Sequence, residues 1–195
     1  MILASLLASL LASLLALSLA AETPRFAGVD LPGGTRVTGV DVPLMLRGTT
    51  VIEGADANQL YAVALYADRR MRSDRDLVDA LEPCKLTLIW IDGDMTEAEV
   101  RQHFTMRFIK TVSSEHYSQL APAIERLVAT LPTVQRGSQW HIEYWPDGGM
   151  VWITDTQRQR VPGIDMSRAV LGLWVGDRAE PKVRASLLPA RTSKP

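Results

Sequence analysis

GIDMSRAVLGLWVGDRAEPKVRASLLP, residues 163–189, is the stretch on which the fold assignment turns, and its local signals are those of a helical C-terminus. Asp165 is a good N-cap for the apolar run MSRAVLGLWV, and Gly176 is the kind of residue that closes a helix. Pro181 then opens a last short helix, because its fixed φ and missing N–H suit the first helical position. Upstream, QRVPGI reads as the strand that delivers the chain into this helical end.

Further outward the pattern changes from helical to alternating. SQWHIEYWPDGGMVWITD is two strands around Pro146-Asp147-Gly148-Gly149, a hairpin signal because Asp and Gly tolerate the positive φ of a tight turn. Trp140, Ile142 and Tyr144 fall on one face, with His141, Glu143 and Trp145 on the other. KLTLIWI (85–91) is a buried strand by its unbroken apolar character, and NQLYAVALYAD (58–68) is another. In the latter, Leu60, Ala62, Ala64 and Tyr66 share one face and Tyr61, Val63 and Leu65 the other.

TRVTGVDVPLMLRG (35–48) alternates loosely enough for one strand or two short ones, and TTVIEGADAN (49–58) reads as polar and turn-rich. A short helix is expected at DLVDAL, ending before Pro83. Thr96-Glu97-Ala98-Glu99 has the spacing of a capping box and predicts a helix start. Val100, Phe104, Phe108 and Ile109 extend that helix to about Lys110 as its apolar stripe. A second helix, about 114–131, carries Tyr117, Leu120, Ile124, Leu127, Val128 and Leu131 and stops before Pro132.

The first twenty residues, MILASLLASLLASLLALSLA, carry no charge and read as an export signal, with Ser18 and Ala20 as the small residues of a cleavage site. Retained, the same segment is long enough to anchor the chain in a membrane. The expectation is a signal peptide over 1–20, a single domain over 21–195, and a periplasmic or secreted location. The 21 basic and 22 acidic residues balance, which removes the clustered basic excess of a nucleic-acid binder. A single cysteine, Cys84, rules out an intrachain disulfide and is expected to be a buried, inert thiol. No hydrolase elbow, phosphate loop or dinucleotide fingerprint occurs.

LPGG with its following glycine-bearing strand, YAVALYADRR, KLTLIWIDGDMTEAEV, GSQWHIEYWPDGGMVWI and the C-terminal run quoted first together resemble the chalcone isomerase-like family over roughly residues 28–189. The resemblance implies an α+β fold in which a curved antiparallel sheet packs against a layer of helices. In the plant enzymes of the family, an Arg and a Thr on the first long strands, a Tyr and an Asn from the sheet-to-helix region, and a Thr on the penultimate helix line the flavonoid cleft. By the resemblance, the strand Thr corresponds to Tyr61, the Tyr to Thr96 or its neighbourhood, the Asn to His103 and the late Thr to Leu173. Arg47 is the nearest counterpart of the arginine, and Glu53 occupies the place some bacterial relatives give to Arg.

With those hydroxyls replaced, plant-type ring closure is disfavoured, because the reaction needs a positioned oxyanion and a stabilised enolate. Non-catalytic members of the family bind fatty acids in the same cleft. The resemblance therefore implies a ligand-binding protein for a small apolar or amphipathic molecule, with Arg47, Tyr61, Thr96, His103 and Leu173 as candidate contacts and no cofactor. The alternative is an intramolecular lyase acting on a phenolic compound through Tyr61, Arg47 and His103. His141 and Glu143 share a strand face but lack a third ligand for a metal, and Asp92 and Asp94 lack the later positions of a calcium loop.

Overall fold

The computed structural model describes residues 23–54, 57–71, 73–145 and 149–189. The expected export signal and the hairpin tip at 146–148 lie outside them. A short hairpin, β1 (Arg25–Phe26) and β2 (Val29–Asp30), precedes a seven-stranded antiparallel sheet. Its strands are β3 (Gly34–Thr35), β4 (Leu44–Glu53), β5 (Gln59–Ala67), β6 (Cys84–Trp90), β7 (Gln139–Tyr144), β8 (Met150–Ile153) and β9 (Arg158–Val161). They lie side by side in chain order, a meander whose neighbours are all sequential.

Five helices interrupt or follow the meander: α1 (Asp74–Val78), α2 (Glu97–Thr111), α3 (Ser114–Ala129), α4 (Ile164–Gly172) and α5 (Pro181–Leu187). Four of the five starts have a cause in a capping side chain or a first-turn proline. Ser73 accepts from the Arg75 amide, and Ser113 from the His116 amide. Thr96 and Glu99 complete the reciprocal capping box, the Thr96 amide donating to Glu99 Oε2 at 2.8 Å. Pro181 stands in the first turn of α5.

Several sequence expectations shift on contact with the fold. Thr49–Glu53, read as turn, belongs to β4, because pairing with β5 supplies the hydrogen bonds that polar composition alone does not suggest. The helix expected over 76–81 is α1, displaced toward Ser73, its cap. Asp165 is not the cap of α4 but a first-turn residue; Gly163, with φ 98°, holds that position. That helix ends at Gly172 rather than Gly176, and a Cβ on Gly176 would stand 2.8 Å from the Gly172 Cα. Ile109 is 49% exposed and leaves the apolar stripe of α2 to Val100, Phe104 and Phe108.

The sheet is covered on both faces, which is why its central strands read as unbroken apolar runs. Tyr61, Val63, Leu65, Leu86, Leu88, Trp140, Ile142 and Trp152 point toward the helices and form the main core with Phe104, Phe108, Ile124, Leu127, Val170 and Trp174. Ala62, Ala64, Tyr66 and Ile89 point the other way, under Leu31, Val37 and Leu44 of the N-terminal segment. On that face Lys85 and Glu143, direct cross-strand partners, form a buried ion pair at 3.4 Å. Register shifts at Leu46/Gly48 and Ile52/Glu53 bend β4 and curl the sheet around the helical layer.

Candidate functional site

α2 carries the site because its two faces differ. Phe104 is buried in the core, edge-on to Trp152 at 5.3 Å and Trp174 at 6.4 Å and stacked on Trp140 at 6.0 Å. One residue back and one turn on, His103 and Arg107 occupy the flank that meets the end of β5. Being four apart, they stand on one side of the helix. There the His103 Nε2 lies 3.1 Å from the Tyr61 hydroxyl, and the two rings meet edge-to-face with centroids 5.5 Å apart. Tyr61 itself is fully buried behind the histidine against Trp90.

Arg107 completes the cluster. Its Nη2 donates to the Leu173 carbonyl at 2.5 Å, and its guanidinium sits 5.8 Å from the centre of the Trp174 ring. Its Nε is buried and finds no partner among the described residues. None of the described carboxylates forms an ion pair with it. A half-buried cation held by a carbonyl and an indole face, with no carboxylate partner among the described residues, is an electrostatic invitation to an anion.

His103 and Arg107 open onto a groove of about 1010 Å³. The adjoining ends of β4 and β5, their connection and the loop before α2 supply Glu53, Asn58, Leu60, Asp92 and Met95; α2 supplies Glu99, Met106 and Lys110; Arg178 and Glu180 close the far wall. The groove is polarised along the helix. Glu99 in its first turn and Arg107 are eight residues, or about 12 Å, apart. The basic end, with Lys110, falls in the last turn, where the helix macrodipole also favours cations. Met106, 45% exposed, Leu60 and Met95 provide the apolar surface.

Both members of the Tyr61–His103 pair are neutral near pH 7. Burial, reinforced by the charges of Arg107 and Lys110, lowers the His103 imidazole to about 4. Burial raises the Tyr61 phenol, opposed by the Arg107 charge and then by the Trp174 indole, whose N–H stands outside hydrogen-bond geometry. A base near 4 and an acid above 10 are poorly matched to proton transfer at neutral pH. The cluster therefore holds one fixed positive charge beside two neutral hydrogen-bonding groups.

The histidine makes stability pH-dependent. Its folded pKa lies below the unfolded value, so the unfolded chain takes up the proton first and stability is lost as pH falls from about 6.5 toward 4. Discounted for partial exposure, the loss is about 2 kcal/mol. In urea titrations between pH 7 and 4, the wild-type chain should lose that much more stability than His103→Gln. Equal losses in the two proteins would show that His103 titrates normally.

The five residues suggested by resemblance divide into two groups. Tyr61 and His103 meet directly, and Leu173 joins them through its carbonyl while its side chain is fully buried in the core. Thr96 is exposed at the start of α2, its hydroxyl committed to Glu99. Arg47 is elsewhere: it sits at the β4 bulge and binds Asp74 of α1 at 3.0 Å. The cation of the cluster is Arg107, which sequence reasoning passed over although the spacing His103-x-x-x-Arg107 on a capped helix could have found it. His141 turns to Thr87, 3.1 Å away, and no group of three potential metal ligands occurs among the described residues. Cys84 is buried, and burial drives its thiol pKa far up, as expected of an inert cysteine.

A curled antiparallel sheet wrapped on five helices is the architecture of the chalcone isomerase class of α+β folds. A family model described as chalcone isomerase-like matches residues 23–189, and the chain belongs to that family. Among solved structures, it is similar to the Arabidopsis thaliana fatty-acid binding protein AtFAP1, with 17% identity over 83% of this chain and 92% of that one and a TM-score of 0.64. At that identity the likeness shows the fold. No curated protein matches the chain.

Proposed function

We propose that this chain is a non-catalytic, exported member of the family that binds a small amphipathic carboxylate such as a fatty acid, with the head group on Arg107 beside Tyr61 and His103. The observation that carries the reading is the half-buried Arg107, which lines the groove and has no carboxylate partner among the described residues. Met106, Leu60 and Met95 give the apolar part of such a ligand its first contacts. The fold shared with a protein named for binding fatty acids agrees with this choice. Export rests on the uncharged leader, and the mature protein should begin at Ala21 on N-terminal sequencing.

Native mass spectrometry of gently purified protein should show a fatty-acid adduct, and palmitate should rebind after its removal. Arg107→Ala should weaken binding by about 2 kcal/mol, roughly thirtyfold, the value of a charge-assisted hydrogen-bonded pair. Arg47→Ala should not change it, because that side chain is spent on Asp74. A wild-type protein that neither carries nor accepts a fatty acid would remove the reading.

The 3.1 Å approach of Tyr61 and His103 favours one other reading, an intramolecular lyase acting on a phenolic compound. Turnover of a chalcone-like phenol that disappears in Tyr61→Phe would replace binding by catalysis.

A further inference from the structure

We infer that the apolar tail of the ligand leaves the groove past Thr111 and Arg178 and lies in a second cavity, between α1, α4 and the junction of α2 with α3; this rests on the head-group reading above. That cavity has a volume of about 620 Å³, within the range of small-molecule sites. Thr111 and Arg178 border it and the groove alike, so the two adjoin. Arg107, where the head binds, is one helical turn before Thr111 and is bonded to the carbonyl next to Gly172, a wall of the second cavity.

The chemistry of the walls selects an apolar occupant. Val78, Val112, Leu120, Ala169 and Gly172 form apolar surface there. Of the arginines around them, Arg75 and Arg168 are occupied with acidic partners, while Arg178 stands at the junction with the groove. Arg75 holds Asp79 at 2.8 Å and Asp177 at 3.6 Å, while Arg168 holds Asp165 at 3.6 Å and the Asp79 carbonyl at 3.0 Å. Even at the junction the Thr111 hydroxyl is satisfied, donating to the Arg107 carbonyl at 2.9 Å. A second anionic head would find Arg75 and Arg168 already neutralised, whereas an acyl chain would complete the burial of the partly covered apolar walls.

Gly172 permits a clean test, since a Cβ there meets no atom within 4 Å and a helical glycine loses nothing by acquiring a side chain. Butyrate, which carries the head with almost no tail, and palmitate are titrated by NMR and calorimetry into wild-type protein and Gly172→Leu. Palmitate affinity is expected to fall at least tenfold in Gly172→Leu, with butyrate affinity unchanged within twofold. Equal palmitate affinity in both proteins would overturn the tail path and leave the head site standing. Butyrate weakened as much as palmitate would also overturn it, because the substitution would then act on the head site. Failure of wild-type protein to bind either acid would overturn both readings together.

Discussion

Phe104→Ala is expected to destabilise the protein by about 4 kcal/mol, the middle of the range for removing a buried aromatic. Phe104 is fully buried and its ring meets those of Tyr61, His103, Trp140, Trp152 and Trp174, so it is the hub of the aromatic core between sheet and helices. Indole rings fixed by neighbours on every side cannot collapse into the space left behind, and the cavity term is therefore near its maximum. Equilibrium urea unfolding checks the value. A loss below about 2 kcal/mol would mean that the tryptophans repack. The same substitution should loosen the histidine next in sequence, so the His103 imidazole should titrate closer to its ordinary value in the variant if that variant folds.

Gly48→Ala is expected to cost about 3 kcal/mol or more, although it adds one methyl to a strand. Gly48 lies at the β4 bulge under α5, and a Cβ there would strike the Ser186 carbonyl and come within 2.9 Å of the Leu187 Cα and carbonyl oxygen. The obstruction is backbone rather than a flexible side chain, so the terminal helix has to move away from the sheet. Leu187 and Val183, which α5 buries in the core, would then be partly exposed. Faster amide exchange confined to α5 would show displacement of that helix. Unchanged stability and exchange would show that β4 and α5 are not in contact in solution.

How much of this was open to sequence reading depended on the range of the interaction. Thr96 and Glu99 cap one helix within four residues of each other, and the alternation in QWHIEY and MVWI pairs two strands across a short turn; such signals survive without knowledge of the rest of the chain. Arg107 behaves differently. On a helix wheel it reads as a solvated flank residue, and only the arrival of the Leu173 carbonyl and the Trp174 ring, more than sixty residues on, makes it a half-buried cation lacking a carboxylate. Arg47 shows the reverse: placed in the site by family correspondence, it is neutralised by Asp74, a partner brought to it by the β4 bulge.

From sequence alone came the order of the long central strands and of the helices, the two apolar faces of those strands and the family, because caps, turns and periodicity are properties of neighbouring residues. Tertiary structure alone decided that the core beneath the helices is filled with aromatic rings, that a groove lies along the flank of α2, and that Arg107 rather than Arg47 is the cation beside Tyr61 and His103. The reason is that counter-ions and cavities are set by which distant segments meet in space, and that information appears only when the chain is closed.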